Sequence, residues 1–130
     1  MIIDSSAIIA ILLRETGFEQ FERAISKASV PRISAAGFVE VSIVIESRGG
    51  AEVVRYFESI IRQGGISVEP VSVEQAWLAR DAYSNYGKGR HSAGLNFGDC
   101  FSYALAKATG EPLLFKGDDF RKTDVIPALP

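Results

Sequence analysis

Five carboxylates stand at positions in this sequence where solvated surface charge is not expected. Asp4 follows the apolar "MII", Glu40 is the only acid between positions 33 and 45, and Asp99 comes directly after a glycine-rich segment. Asp118 and Asp119 come shortly after the apolar run "LLF". A charge buried among apolar residues is costly unless it is paired, hydrogen-bonded or bound to a metal ion. The pattern therefore predicts that these acids share one site.

A divalent cation is the partner that such a group of acids predicts. Carboxylates brought together repel one another, which raises their pKa values unless a cation lies among them. Mg²⁺ binds carboxylate and water oxygens, and it can activate a water and stabilise charge on a phosphoryl oxygen. The acids therefore indicate metal-dependent chemistry on a phosphate ester.

Each acid also has an ordinary structural explanation when it is considered alone. Asp99 could be a helix N-terminal acid favoured by the helix dipole, and Asp118 and Asp119 are common turn residues. Glu40 could pair with a core arginine such as Arg32. Asp4 is the hardest to explain structurally, and the combination of acids is a stronger signal than any single member.

The elements predicted around these acids are strands that alternate with helices. Strands are predicted at positions 1–4, 31–35, 66–72 and 113–115, with a last short strand at Val125–Ile126. Helices are predicted at positions 5–15, 17–28, 36–48, 51–63, 73–87 and 99–110. The first helix has Ser5 or Ser6 as its N-cap, and the fifth has Trp77 and Tyr83 facing inward. This alternation predicts an α/β sandwich with a mainly parallel sheet, whose functional groups collect at the carboxyl ends of the strands.

The composition is that of an ordinary globular protein. With 130 residues, of which 47% are hydrophobic and 23% charged, the chain is predicted to form one domain with a substantial core. Cys100 is the only cysteine, which excludes an internal disulfide and a thiolate zinc cluster. His91 is the only histidine, which excludes a ribonuclease mechanism based on two histidines. The apolar stretch Ile8–Leu13 is too short to span a bilayer and lacks the features of a signal peptide, so we expect a cytoplasmic protein.

Local clusters of basic residues, and not the overall charge, are the candidates for binding a nucleic acid. The net charge of -2 argues against binding through overall positive charge. The loop "GKGRH" carries Lys88 and Arg90 together with His91, and Lys116 and Arg121 flank the last acids. These cations could hold phosphates on either side of a scissile bond, or they could belong to ordinary solvated loops.

Four sequence features together resemble one known family. They are "MIIDSSAIIAIL", Glu40 within an apolar helix, "NFGDCFSYALAKATGEPLLFKGDDF" and the closing "KTDV". Their order and spacing are similar to those of the PIN-domain ribonucleases, specifically the VapC toxins of type II toxin–antitoxin (VapBC) modules. The resemblance covers essentially the whole chain. It implies a single PIN domain over residues 1–130, a PIN-like three-layer sandwich whose central, mainly parallel sheet is flanked by helices.

The resemblance also implies an activity and partners. It implies a cytoplasmic endoribonuclease toxin that depends on Mg²⁺, or on Mn²⁺, and hydrolyses RNA phosphodiester bonds, in tRNA or rRNA, with a metal-activated water. A cognate VapB antitoxin would neutralise the toxin by covering the acidic site. The family further implies a homodimer, a hetero-oligomer with the antitoxin, and contact with DNA only through that antitoxin.

Carried over residue by residue, the resemblance assigns roles to the acids. Asp4, Glu40, Asp99 and Asp118 match the catalytic acids, and Asp4, Asp99 and Asp118 are the metal ligands it implies. Asp119 is the alternative to Asp118, because Gly117 stands at a position that is commonly acidic in the family. Ser6 matches a supporting hydroxyl, although it could also be a helix cap.

Two other functions fit parts of the sequence. A haloacid-dehalogenase-type phosphatase also begins with a strand that ends in aspartate, and it contains a "GD" motif, here Gly117-Asp118. That class requires a second aspartate two residues after the first, however, and Ser6 stands there. A non-catalytic module that only binds a metal ion is the other alternative, and the retention of all the acids argues against it.

Overall fold

Strands and helices alternate along the chain, as the sequence predicts. The computed structural model describes all 130 residues and contains four strands, six α-helices and one 3₁₀ turn at Phe120–Lys122. The strands are β1 (Ile2–Ile3), β2 (Arg32–Ser34), β3 (Ser67–Glu69) and β4 (Leu113–Leu114). The helices are α1 (Ser5–Leu12), α2 (Phe18–Lys27), α3 (Ala35–Arg48), α4 (Gly50–Gln63), α5 (Val73–Tyr86) and α6 (Phe97–Thr109). None of these helices is long and apolar enough to cross a membrane.

The four strands form one parallel sheet in the order β3-β2-β1-β4. Ile2 of β1 pairs with Arg32 of β2 on one side and with Leu113 of β4 on the other. The strand order therefore reverses direction beside β1. Ligands of open α/β sheets bind at such a reversal, outside the carboxyl ends of the strands. The residues that follow β1 and β4 lie at this place.

The prediction of a last short strand at Val125–Ile126 is wrong. This segment forms only an isolated bridge, in which Leu113 pairs with Pro127. The Leu113 N–H donates to the Ile126 carbonyl at 2.8 Å, and the Ala128 N–H donates to the Leu113 carbonyl at 2.8 Å. The nitrogen of Pro127 faces away from β4, as is usual for a proline at the edge of a sheet.

Successive residues of the short strands point to opposite faces of the sheet, and each face has its own core. Ile2 and Leu113 pack with α5 and α6 on one face. Ile3 and Leu114 pack with α1, α2, α3 and α4 on the other face. All four side chains are fully buried. The predicted three-layer sandwich is thus confirmed, and its sheet is parallel throughout.

The N-termini of two helices are capped by residues other than those predicted. The N-cap of α1 is Asp4, whose carboxylate accepts a hydrogen bond from the Ser6 N–H, and not Ser5 or Ser6. The N-cap of α6 is Asn96, so this helix begins at Phe97 and not at Asp99. Both differences arise because a side chain caps a helix from outside it, accepting from an N–H two or three residues later. Asp99 consequently lies within the first turn of α6.

Helix α5 exposes two aromatic residues that the sequence predicts to be inward. Trp77 is 59% exposed and Tyr83 is 42% exposed, whereas Ala79 and Ala82 are buried. The helix carries apolar residues on two faces, so its periodicity does not decide which face is covered. The small alanines allow α5 to pack closely on α6, and the large rings lie outside that contact.

Candidate active site

Asp4 connects β1 to α1 and is almost completely buried, with 1% of its surface exposed. Its backbone N–H donates to the Leu114 carbonyl of β4 at 2.8 Å, which fixes it at the reversal of strand order. Its Oδ2 accepts a hydrogen bond from the Ser6 N–H at 3.0 Å. Its Oδ1 is buried and has no hydrogen-bond partner. Capping α1 therefore uses one carboxylate oxygen and leaves the other unsatisfied.

Glu40 lies on α3 and is held from two sides. The hydroxyl of Ser5, which is itself buried, donates a hydrogen bond to Glu40 Oε1. The backbone of Gly98 lies against the same carboxylate, so closely that a Cβ at this position would collide with Oε2. Ser5 and Gly98 were not among the predicted site residues, because a serine after a strand and a glycine before a helix carry no specific signal in a sequence.

Asp99 occupies the first turn of α6 and forms a capping box with Asn96. Its Oδ2 accepts from the Asn96 N–H at 2.9 Å, while its own N–H donates to Asn96 Oδ1 at 2.9 Å. Burial raises the pKa of Asp99 to about 7, with repulsion from Asp4, Glu40 and Asp119 adding to this effect and the hydrogen bond from Asn96 opposing it. Asp4, Glu40 and Asp119 therefore lie close enough to Asp99 to raise its pKa, and these four predicted acids form one cluster.

The two acids after β4 lie in different surroundings. Both are exposed, and Asp119 contributes to the raised pKa of Asp99. Asp118 instead lines a small cleft together with Gln20 and Arg121. The structure therefore brings Asp119 into the acidic cluster and places Asp118 toward a neighbouring surface.

Ser6 ties the two ends of the site together. Its Oγ accepts a hydrogen bond from the Lys116 N–H at 3.0 Å, which holds the segment between β4 and Asp119 against the start of α1. The side chain of Lys116 forms an ion pair with Glu15 at 2.8 Å. Ser6 thus supports the site through the backbone of the loop that carries the last acids.

The cations predicted to contact RNA differ in whether their side chains already form an ion pair or a hydrogen bond within the protein. Lys88 and Arg90 are exposed on the loop between α5 and α6, with the Arg90 guanidinium 5.7 Å from the centre of the Tyr83 ring. Lys116 is paired with Glu15, and the Arg121 guanidinium donates to the Pro130 carbonyl at 2.9 Å. Lys88 and Arg90 are therefore the cations available to a ligand without breaking an ion pair or a hydrogen bond.

His91 and Cys100 have structural roles. His91 Nδ1 accepts from the Ala93 N–H at 3.0 Å, and its ring packs edge-on against Tyr86. Cys100 is buried, and burial raises the pKa of its thiol to about 11. A thiol with this pKa stays protonated at neutral pH and is a poor nucleophile. These two residues therefore do not form a catalytic dyad.

The acidic cluster fits a divalent cation. Asp4 Oδ1 is a buried oxygen without a donor, and Asp99 lies among three other carboxylates that raise its pKa. No group of three or more histidine, cysteine, aspartate or glutamate side chains converges closely enough to hold a metal ion by itself. Mg²⁺ does not require one, since it is usually held by one or two carboxylates and keeps several waters. Asp4 and Asp99 are the residues best placed to hold it.

Comparisons with known proteins agree with this geometry. The family model described as "PIN domain" matches residues 1–126. A "Ribonuclease VapC" from Mycolicibacterium smegmatis is 50% identical over 125 residues, which cover 96% of this chain and 97% of that protein. "Ribonuclease VapC30" from Mycobacterium tuberculosis is 47% identical over 96% of this chain and 95% of its own length. The chain belongs to the PIN-domain VapC ribonucleases.

The solved structure of a distant VapC protein confirms the fold. It is VapC20 from Mycobacterium tuberculosis, described as a toxin that cleaves the sarcin–ricin loop. Its TM-score is 0.78 at 18% sequence identity, with 96% of this chain and 95% of that chain covered. As a VapC ribonuclease the chain is an endoribonuclease and the toxin of a type II toxin–antitoxin module, in a family that depends on divalent metal ions. The phosphatase and the non-catalytic binding module are therefore set aside.

Proposed function

We propose that this VapC ribonuclease cleaves RNA at the cluster formed by Asp4, Glu40, Asp99 and Asp119, with Mg²⁺ held by Asp4 and Asp99 and with Mn²⁺ as a substitute. The observation that carries the proposal is Asp4 Oδ1, a buried carboxylate oxygen without a hydrogen-bond partner. A buried unsatisfied charge is strongly unfavourable, so its persistence at the reversal of strand order is best explained by a cation.

The fourth acid is Asp119 in this proposal, and not Asp118, which the family motif favours. Asp119 contributes to the raised pKa of Asp99, which supports its place in the cluster. Asp118 lines a cleft with Gln20 and Arg121. Matched substitutions of Asp118 and Asp119 test this assignment directly.

The roles of the side chains follow from their contacts. A bound Mg²⁺ supplies charge stabilisation to a phosphoryl oxygen and lowers the pKa of a water molecule. Asp4 and Asp99 provide the oxygens that hold the cation, and Glu40, fixed by the Ser5 hydroxyl, orients water beside it. Lys88 and Arg90 bind phosphates on one side of the scissile bond. Lys116 and Arg121 join them once RNA displaces their contacts with Glu15 and Pro130.

The partners in this proposal are those of a toxin–antitoxin module. A VapB-type antitoxin neutralises the toxin by covering the acidic cluster, and any contact with DNA is made through the antitoxin. The chain, as one domain over residues 1–130, forms a homodimer and a hetero-oligomer with the antitoxin in the cytoplasm. Its substrate is a structured RNA, and tRNA and rRNA are the two classes to be tested.

The test is cleavage of purified tRNA and rRNA by the purified protein, with Mg²⁺ and with a chelator. We expect cleavage with Mg²⁺, none with the chelator, and a loss of at least about 100-fold in Asp4→Asn. Glu46→Gln, a substitution of an exposed carboxylate on α3, is the matched control and should cleave like the parent protein. Equal cleavage by Asp4→Asn and the parent protein would overturn the proposed site.

A further inference from the structure

A cleft of about 590 Å³ lies between α5 and α6, and its lining on α6 includes Phe97 and Cys100, which flank Gly98 and Asp99 in the sequence. It is lined by eight residues, and none of them is a carboxylate. Phe97 and Phe101 form one wall, and Tyr83 and Arg80 form the other. A cleft that has aromatic walls and a cation, but no acid, is suited to a flat ring that carries negative charge on its flanks.

Phe97 is the most exposed large apolar side chain of the protein, at 79%. Its ring is nevertheless held in place, because it packs edge-on against Phe101 with 4.9 Å between ring centres. Phe97 immediately precedes Gly98, whose backbone lies against the Glu40 carboxylate. The chain therefore fixes an exposed aromatic ring one residue away from a contact with the candidate catalytic acids.

Two arginines lie near the opposite wall of the cleft. The Arg80 guanidinium lies 5.3 Å from the centre of the Trp77 ring, and the Arg90 guanidinium lies 5.7 Å from the centre of the Tyr83 ring. Each arginine is thus oriented by an aromatic neighbour while it remains exposed to solvent. Guanidinium groups in this arrangement are well suited to bind the phosphates on either side of a stacked base.

We propose that this cleft binds an unpaired nucleobase adjacent to the scissile phosphodiester, with Phe97 as the stacking surface and Arg80 and Arg90 on the flanking phosphates. The proposal rests on the proposed RNA cleavage at the acidic cluster, and it identifies a positioning site for that substrate. RNA recognition commonly uses bases that are splayed out of a helix and stacked on aromatic side chains. The two exposed arginines and the absence of any carboxylate among the lining residues favour a ligand that carries phosphates.

The test uses binding, so that it does not depend on the cleavage step. A single-stranded RNA carrying a fluorescent purine analogue is titrated into Asp4→Asn protein, and the quenching of the analogue on stacking is followed. We expect Phe97→Ala and Phe97→Leu to lose most of the quenching and to bind about tenfold more weakly, whereas Phe97→Tyr keeps both. Tyr56→Ala, which removes an exposed ring from α4, is the matched control.

Two results would overturn the cleft as a base-binding site. One is quenching and affinity in Phe97→Ala that equal those of its Asp4→Asn parent. The other is unchanged quenching together with a smaller mass by light scattering in Phe97→Ala, which would identify the cleft as a contact between protein chains. If the parent protein cleaves RNA with Mg²⁺ while either result is obtained, only the cleft proposal fails. If the parent protein does not cleave RNA, the proposed function itself fails.

Discussion

The backbone of Gly98 lies against the carboxylate of Glu40, at a distance that leaves no room for a Cβ. This contact joins the first turn of α6 to the middle of α3, and it places Glu40 and Asp99 on the same side of the site. A glycine in a helix is usually a disadvantage, since alanine forms helices more readily. At this position the absence of a side chain is what allows two acids from different helices to approach one point.

Gly98→Ala should therefore reduce RNA cleavage by about 100-fold, because the added methyl group displaces the Glu40 carboxylate. The melting temperature should change little, since the site is near the surface and alanine favours the helix. Gly37→Ala is the control, because it adds a methyl group to α3 where the nearest contact is Cγ1 of the buried Ile33, at 3.3 Å, and not a carboxylate. Equal loss of activity in both variants would show that the contact with Glu40 is not the cause.

Asp119→Asn and Asp118→Asn form a matched pair that identifies the fourth acid. We expect Asp119→Asn to lower the cleavage rate by about 10- to 100-fold and to weaken Mg²⁺ binding, as the loss of a residue around a metal typically does. Asp118→Asn should stay within a few-fold of the parent protein. Mg²⁺ affinity can be measured by titration calorimetry. The reverse order of effects would assign the role to Asp118.

The raised pKa of Asp99 predicts how the stability of the metal-free protein depends on pH. Because the folded-state pKa is about 7 and the ordinary value is 3.8, folding favours the neutral carboxyl group. This contribution is fully present below the ordinary pKa and is lost as the pH rises through the folded-state pKa. The melting temperature of the metal-free protein should therefore fall between about pH 5 and about pH 8, and Asp99→Asn should flatten this slope.

Mg²⁺ provides an independent check on the same group. The cation binds the ionised carboxylate, so it should raise the melting temperature more at about pH 8 than at about pH 5. Thermal denaturation with Mg²⁺ and with a chelator, at both pH values, measures this difference. If Mg²⁺ raises the melting temperature equally at the two pH values, its binding does not depend on the ionisation of Asp99.

Ser5 should prove to be a positioning residue for Glu40. Ser5→Ala removes the donor to Glu40 Oε1, and we expect about 10-fold slower cleavage together with about 1 kcal/mol of lost stability. Ser26→Ala removes an exposed hydroxyl that bonds only to the Arg23 carbonyl, and it should change neither quantity. Cleavage assays and chemical denaturation measure the two effects separately. Unchanged cleavage in Ser5→Ala would mean that Glu40 is held by Gly98 alone.

Asp124, in the closing "KTDV", should contribute to stability and not to catalysis. Burial raises its pKa, but hydrogen bonds from Lys107 at 2.9 Å and Tyr103 at 2.7 Å outweigh this and hold the pKa below its ordinary value. Its contribution is therefore present at neutral pH and is lost as the pH falls through that lowered pKa. Tyr103→Phe should cost about 1 kcal/mol and leave cleavage unchanged. A loss of cleavage in folded Tyr103→Phe would contradict this assignment.

The sequence predicts the elements of this fold well because α2 and α4 are strongly amphipathic, and because β1 and β4 are short apolar runs that are followed by acids. The positions of Asp4 after "MII" and of Asp118 and Asp119 after "LLF" are enough to predict that these acids lie at the same edge of a parallel sheet. The sequence does not predict which of the two adjacent aspartates affects the pKa of Asp99, because that depends on the path of the loop after β4. Ser5 and Gly98 could not be identified either, since the role of each is a contact with Glu40 and not a property of the residue itself.

The pairing of β1 with β4 makes the order of synthesis relevant to when the enzyme becomes active. β1 leaves the ribosome first, but its hydrogen-bonded neighbour β4 and the anchoring of Lys116 by Ser6 require residues that are translated more than a hundred positions later. Until those residues emerge, Asp4 lacks the Leu114 carbonyl that fixes its backbone, and Asp119 does not yet exist. A chain that ends before Leu114 therefore lacks both the strand that fixes the backbone of Asp4 and the last acid of the cluster.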